Sequence, residues 1–248
     1  MSEFDYDSIP TGYYDEVMEN GSALRRFWHR QKFERVRMLL PDDAQSLLDI
    51  GCFAGTFLSL LPDTEFSRQV GVDILEKQVA YANHNYGEEF REFLFVEDLE
   101  ELPSLIDPVD CVSLIEVIEH LHPPEIEQML EVIWEVLEPG GRLVLTTPNY
   151  LSIWPFLEFA INHLSDVTYE EQHFTKFTYP TIESQITDIW AAFPDRVEVH
   201  RETNAHFVNP VVAPDTQGPA LRASVGFHNR VESFPLGSLI VLAIEKSV

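Results

Sequence analysis

Lysine is almost missing from this chain. Only Lys32, Lys77, Lys176 and Lys246 occur in 248 residues, and 16 basic residues stand against 42 acidic ones, a formal net charge of −26. A general nucleic-acid-binding surface needs net positive charge, so that function class is disfavoured. Such a surface repels itself in dilute buffer and is screened in concentrated salt, so the two readings are salt adaptation and an ordinary acidic protein, the first being the expectation. Cysteine is limited to Cys52 and Cys111, too few for a disulfide framework. No run of 18 or more apolar residues is present, which excludes a membrane-spanning helix. The opening stretch MSEFDYDSIPTGYYDEVMEN is acidic and lacks a basic, apolar leader, so the expectation is a cytoplasmic protein. What the chain does have is 45% hydrophobic and 12% aromatic residues, enough for a core. The length suits one large domain, or a domain carrying a lid.

From residue 46 strands and helices alternate. SLLDI (46–50) reads as a strand, and GCFAGTFLSLL turns and becomes helical. QVGVDI (69–74), EFLFVEDL (92–99), VDCVSLIE (109–116) and RLVLTTP (142–148) read as further strands, with LEKQVAYANHNYG a helix between the first two. PPEIEQMLEVIWEVLE is a helix, with prolines in its first turn, Glu125 and Glu127 at its positive end, and Ile126, Leu130, Ile133 and Leu137 at helical spacing. PGG (139–141) reads as a breaker. A helix near 180–193, a strand RVEVHRET (196–203), a long loop (204–235) and a last strand LGSLIVLAIEK (236–246) follow. This rhythm predicts an α/β fold with a mostly parallel sheet covered by helices on both faces. The divisions expected are a helical cap (1–44), a ligand-binding core (45–149), a lid-like insertion (150–179) and a segment completing the sheet (180–248).

One basic cluster breaks the acidic pattern. LRRFWHRQKFERVRML holds Arg25, Arg26, Arg30, Lys32, Arg35 and Arg37, and Leu24, Phe27, Trp28, Phe33, Val36 and Leu40 approximate an apolar helical stripe. Two readings stand: a solvated face paired with acids, or a patch for an anionic substrate such as a phosphate or carboxylate.

LLDIGCFAG joins the first strand to the first helix. Gly51 and Gly55 permit a tight turn and close approach of a ligand to the helix N-terminus. The loop is not the G-x-G-x-x-G of a dinucleotide site. Asp49 lies inside the strand end, a costly place for a carboxylate unless it binds or braces something. Acids recur where later strands end: Asp73, Asp98 and Glu116. In open α/β sheets ligands bind beyond the carboxyl ends of strands. Asp73 suits ribose hydroxyls and Asp98 an exocyclic amine; helix capping is the other reading of both.

LLDIGCFAG, VGVDI, VED, VDCVSLIEVIEHL and LEPGGRLVLTTPN, taken as a set over about residues 45–150, resemble successive motifs of class I S-adenosylmethionine-dependent methyltransferases. The resemblance implies a Rossmann-like, doubly wound, seven-stranded sheet whose last strand is antiparallel. It implies that Gly51, Cys52, Phe53 and Gly55 contact the methionine part of S-adenosylmethionine, that Asp73 with Ile74 binds the ribose and Asp98 with Leu99 the adenine, and that Asp49 and Glu116 line the same site. Phe53 departs from the family loop by replacing its middle glycine. With an ordinary φ it is tolerable and could wall off the cofactor; with φ > 0 it is strained.

Glu116, Glu119 and His120 are spaced to face one point in helical or turn geometry. With His173 from YEEQHFTKF they could hold Mg²⁺ or Mn²⁺. This E-x-x-E-H pattern is similar to the metal motif of plant small-RNA 2′-O-methyltransferases and of ubiquinone-pathway O-methyltransferases. The competing roles are a general base or acceptor-pocket wall for His120 or His173. His122, before two prolines, reads as a helix start. Trp154, Phe156, Phe159 and Tyr169 either line an acceptor pocket or form lid core. The segment resembles family branches that modify sugars and glycans, so the expected reaction is methyl transfer to a hydroxyl or carboxylate oxygen of a small-molecule or glycan acceptor, such as a sugar or hexuronic acid, anionic if the arginine helix binds it. A metal-assisted RNA 2′-O-methyltransferase and a non-catalytic cofactor-binding scaffold are the alternatives.

Overall fold

The computed structural model describes residues 9–152, 154–155, 173–191, 198–203 and 237–247. Two helices come first, α1 (Tyr13–Asn20) and α2 (Ala23–Leu39). Then β1 (Ser46–Ile50), α3 (Thr56–Ser59), β2 (Arg68–Asp73), α4 (Glu76–Tyr86), β3 (Arg91–Phe95), α5 (Leu102–Leu105), β4 (Val109–Ile115) and α6 (Pro123–Val136) alternate. β5 (Leu137–Pro148), α7 (Ile182–Ile189), β6 (Glu198–Thr203) and β7 (Leu239–Glu245) complete the described elements. Among these no helix is long and apolar enough to cross a membrane.

Seven strands form one sheet in the order β3-β2-β1-β4-β5-β7-β6. β1 to β5 are parallel, and β7 runs antiparallel between β5 and β6. The topology is the expected Rossmann-like one. Period-two alternation sends successive side chains to opposite faces. Leu48 and Ile50 of β1, Val112 and Leu114 of β4, and Ile240, Leu242 and Ile244 of β7 join Ile126, Leu130 and Ile133 of α6. Leu47, Cys111, Val241 and Ala243 face the other way, toward Phe33 and Val36 of α2 and Val79 of α4. Both faces are therefore dry, and function is confined to the carboxyl edge.

Two local expectations fail. The PGG stretch does not interrupt the sheet: Gly140 takes φ 79, its N–H donates to Lys246 O and Lys246 N–H to Gly141 O, so β5 starts at Leu137. The helix after the glycine turn is a single turn, Thr56–Ser59, because the chain must reach Pro62 and re-enter the sheet at Arg68.

The basic helix is amphipathic as expected, with Phe27, Phe33 and Val36 buried. Most of its cations are engaged within the protein, while Arg30 is exposed. Arg25 bonds Tyr13, Arg26 the Glu19 carbonyl, Arg37 both oxygens of Glu65, and Lys32 the Glu116 carboxylate, while Arg35 is buried. Internal pairing thus takes up part of the cluster, and Arg25 and Arg30 stay exposed.

Candidate active site

Tight reversal at the end of β1 requires left-handed backbone. Gly51 (φ 73), Phe53 (φ 50) and Gly55 (φ 76) all adopt it within five residues. Gly51 and Cys52 both donate to the Val72 carbonyl, at 2.9 and 3.0 Å, which fastens the turn to β2. A Cβ at Gly51 would lie 2.6 Å from Val117, and one at Gly55 would lie 2.6 Å from the Phe93 ring. Glycine is demanded at both by space as well as by φ.

Phe53 is thus the strained case. Its ring meets Tyr14 edge-on at 5.5 Å. A left-handed non-glycine residue costs roughly 1–2 kcal/mol. Phe53→Gly should therefore relieve backbone strain while losing ring packing, and Phe53→Ala should lose the packing and keep the strain. The expected order of stability in urea unfolding puts the glycine variant above the alanine variant by about 1 kcal/mol. The reverse order would show that the φ value is not a source of strain.

Asp73, at the end of β2, is the clamp of this turn. Its Oδ2 accepts from Phe53 N–H at 2.7 Å and its Oδ1 from Leu75 N–H at 2.9 Å. Burial raises its pKa, opposed by these backbone hydrogen bonds. Each oxygen keeps a second acceptor direction. Beside it Ile74 is 62% exposed, a large apolar side chain left in solvent at the rim. Asp98 is exposed and its Oδ1 accepts from Glu100 N–H at 3.0 Å, so it caps the 3-10 turn that includes Leu99. Cys52 is buried, which pushes its thiol pKa up.

Asp49 braces rather than protrudes. It lies opposite Ser113 in the β1–β4 register and accepts from the Ser113 hydroxyl at 2.6 Å. Burial pushes its pKa up to about 7, against the pull of that hydrogen bond. The folded protein thus holds a proton that the unfolded chain releases at an ordinary carboxylate pKa. The stabilisation is full below that pKa and is lost as pH rises through about 7. Asp49→Asn keeps an acceptor for Ser113 but cannot ionise. Its unfolding midpoint relative to the parent should rise between about pH 5 and about pH 8, at constant salt. A difference that stays constant would show that Asp49 does not titrate there.

β4 ends in another left-handed non-glycine residue, Glu116 (φ 54), whose N–H donates to the Thr146 carbonyl at 3.1 Å. Such strain gathers at functional sites. Its carboxylate pairs with the Lys32 ammonium of α2, which is 1% exposed and lies 5.3 Å from the Tyr14 ring centroid and 5.2 Å from that of Phe33. Burial alone would raise the Glu116 pKa, but Lys32 holds it below the usual carboxylate range. Tyr14, Lys32 and Phe33 close over the glycine turn and leave a cavity of about 30 Å³. The carboxylate of Asp15 on α1 staples this cover down through Thr56 (2.8 Å) and Tyr86 (2.6 Å).

The sequence reading missed Lys32 and Tyr14 as site residues. A signal existed: Trp28, Lys32 and Val36 share one helical row, so the lysine sits inside the apolar stripe.

Beyond Glu116, a 3-10 turn (Ile118–His120) carries Glu119 inward. Glu119 is 1% exposed, and its Oε2 has no hydrogen-bond partner among the described residues. Burial, and then the charge of Glu116, push its pKa well up. Residues 173–177 pack on this turn, with Thr175 N–H donating to Glu119 O at 3.2 Å and Thr175 Oγ1 to Leu121 O at 2.6 Å. That contact brings the His173 ring to 5.0 Å from the His120 ring. His173 is 7% exposed, and its Nδ1 is 2.7 Å from the Tyr150 hydroxyl. Burial pushes its pKa down to about 4, against the pull of Glu116.

One ligand atom each from Glu119, His120 and His173 lies within 4.8 Å of the others. The expected four-residue group is therefore three, since Glu116 is drawn to Lys32. His122 starts α6, its N–H donating to Glu125 at 2.7 Å, and its ring stacks on Phe174 at 4.4 Å. Trp154 is buried, 6.3 Å from His173. Phe156, Phe159 and Tyr169 lie outside the described residues, as does most of the expected lid.

Comparison with known proteins agrees with this geometry. Residues 48–145 match the family model described as a methyltransferase domain. A ubiquinone biosynthesis O-methyltransferase of Pseudomonas savastanoi pv. phaseolicola is 26% identical over 188 residues, covering 67% of this chain and 77% of that one. A tRNA N(3)-methylcytidine methyltransferase of Schizosaccharomyces pombe is 28% identical over 199 residues, 75% of this chain and 64% of that one. Of three curated relatives the chain spans 37%, 53% and 64% of their length. The plantazolicin methyltransferase BamL, solved in complex with a triazolic desmethylPZN analog and SAH, shares the fold with a TM-score of 0.61, at 16% identity, over 95% of this chain and 89% of that one. Residues 48–145, with the glycine turn and the sheet order around them, are thus similar to a methyltransferase domain.

Proposed function

We propose that the protein transfers the methyl group of S-adenosylmethionine to a hydroxyl oxygen of a small or glycan-type acceptor, and that Glu119, His120 and His173 form the acceptor end of the site. The observation that carries this reading is the buried carboxylate–imidazole group beside the glycine turn, with one Glu119 oxygen lacking a hydrogen-bond partner among the described residues.

The residues present fit the cofactor at its nucleoside end. Asp73 has acceptor capacity for ribose hydroxyls, exposed Ile74 offers apolar surface to an adenine, and Asp98 stands at the rim. The methionyl end would enter where Tyr14, Lys32 and Phe53 now leave about 30 Å³, so these side chains must yield to it. The N-terminal helices are then the cap of the site.

Methyl transfer from a sulfonium is an in-line displacement, and alignment is the main contribution required of a protein. An imidazole with a pKa near 4 is a poor proton acceptor at neutral pH, but it is neutral and able to bind a cation. His173 therefore reads as a ligand oriented by Tyr150 rather than as the base. Two imidazoles and one carboxylate suit Mn²⁺ better than Mg²⁺, which prefers oxygen ligands. Such an ion, when bound, would lower the pKa of a coordinated hydroxyl. Glu119, His120 and His173 would hold it, and Trp154 would shield one side.

RNA is a weaker acceptor candidate, because the chain carries −26 and two of the cations of α2, Lys32 and Arg37, are paired with carboxylates of the protein itself. A non-catalytic scaffold is the remaining alternative. Calorimetric titration of S-adenosylhomocysteine in molar KCl, followed by radiolabelled methyl transfer to vicinal-hydroxyl acceptors with Mn²⁺, tests the reading. Saturable binding and transfer are expected. Folded protein that binds no cofactor product would overturn it.

A further inference from the structure

The ion pair between Lys32 and Glu116 joins the two halves of the site, and no step described so far uses it. Glu116 stands three residues before Glu119 and four before His120, at the same sheet edge. It is near enough for its charge to act on both Glu119 and His173. Its backbone is fixed, with the N–H held by Thr146 and φ set at 54. Its side chain alone decides where the carboxylate goes. In this structure it goes to the Lys32 ammonium, which reaches it from α2 between the Tyr14 and Phe33 rings. Lys32 is fully buried, so this is a built position rather than a surface encounter.

We propose that Lys32 is a positioning residue that keeps Glu116 out of the Glu119–His120–His173 group, so that its ammonium and a divalent cation compete for one carboxylate. This rests on the reading of that group as a cation site. The physical argument is charge balance. A buried carboxylate needs a counter-charge, and removing its partner leaves it strongly destabilised. Lys32 supplies that charge from the cofactor side, and a divalent ion would supply it from the acceptor side. One carboxylate cannot serve both at full strength. The ion should bind the three-residue group weakly while Lys32 is in place, and tightly with four ligands once Glu116 is released. Because Lys32 also lines the space that the methionyl end of the cofactor would enter, whatever displaces it there would release Glu116 for the ion.

The test is calorimetric titration of MnCl₂ into the full chain and four variants: Lys32→Met, Glu116→Gln, Lys32→Met/Glu116→Gln and Glu119→Gln. The lysine variant should bind Mn²⁺ at least about tenfold more tightly than the parent. The double variant should return to the parent's affinity, and Glu116→Gln alone should change little. Glu119→Gln should lose binding in any case. Equal affinity of the parent and Lys32→Met would overturn the proposal and leave the cation site standing. So would an equal loss from Glu116→Gln in both backgrounds. No binding by any form would overturn the cation site, and this proposal with it. If Lys32→Met does not fold, Lys32→Gln is used, with the same outcomes required. Thermal unfolding gives an independent readout: Mn²⁺ should raise the midpoint of the lysine variant more than that of the parent. Lys32→Arg should restore parent behaviour in both assays, which loss of packing alone would not explain.

Discussion

Asp73→Ala is expected to weaken the binding of S-adenosylhomocysteine by about 100-fold to 1,000-fold. Each hydrogen bond to a charged group contributes about 1.5–3 kcal/mol, and two ribose hydroxyls are at stake. The same carboxylate also holds the turn, because Phe53 and Leu75 donate to its two oxygens. Alanine would orphan both backbone N–H groups, so part of the loss would come through loop disorder. Asp73→Asn separates the two effects. It keeps an oxygen for one N–H but offers an NH₂ where the other oxygen stood, facing a donor. The asparagine variant should be more stable than the alanine variant and still bind poorly. Calorimetry gives the affinities and urea unfolding the stabilities. Unchanged affinity in a folded Asp73→Ala protein would remove Asp73 from the cofactor site.

His173→Ala should act on the other half of the reaction. It should lower kcat/KM by about 1,000-fold or more while leaving the affinity for S-adenosylhomocysteine within about twofold. The ring is buried, ordered by Tyr150 and beside His120, so its loss removes a ligand and leaves a hole. On the proposed reading, a chelator should bring the parent protein down to the level of the variant and have no further effect on the variant itself. If the variant is inactive and the parent ignores chelators, the histidine serves as a base or pocket wall, and the cation reading ends. Glu119→Gln provides a second view. A neutral isostere is tolerated by a merely structural carboxyl, more so for one whose pKa burial already pushes well up. It would not serve as an anionic ligand. Near-parent activity in Glu119→Gln would therefore count against the metal as strongly as indifference to chelators.

The sheet was legible because its signals are local. β1, β2 and β4 are short apolar runs with acids at their carboxyl ends, and buried parallel strands read that way from sequence. Gly51 and Gly55 were legible because a strand-to-helix reversal leaves few options. The status of Phe53 was not, since sequence names the residue but φ is fixed by the hydrogen bond to Asp73, twenty positions on. The basic helix misled for a related reason. Composition counts charges, while Arg37–Glu65 and Lys32–Glu116 are made by tertiary packing across long separations. Glu116 stands at the strand end as expected, but in this structure its carboxylate lies with Lys32 and not with Glu119 and His120. Helical spacing predicts who can face whom only if the residues are in one helix, and a left-handed φ at Glu116 breaks that condition before the 3-10 turn begins.

The position of β7 also imposes an order in time. β5 pairs on one side with β4, already made, and on the other, through Arg142–Pro148, with Leu239–Glu245, which comes much later in the sequence. While a nascent chain emerges, the β1 to β5 half can assemble, but the outer edge of β5 stays open, apolar and rich in unpaired backbone groups until β7 arrives. Such an edge invites other chains to pair with it. Strand β6 cannot cover for β7, because its only partner in the described sheet is β7 itself. Synthesis must therefore run almost to residue 245 before the sheet can close at all.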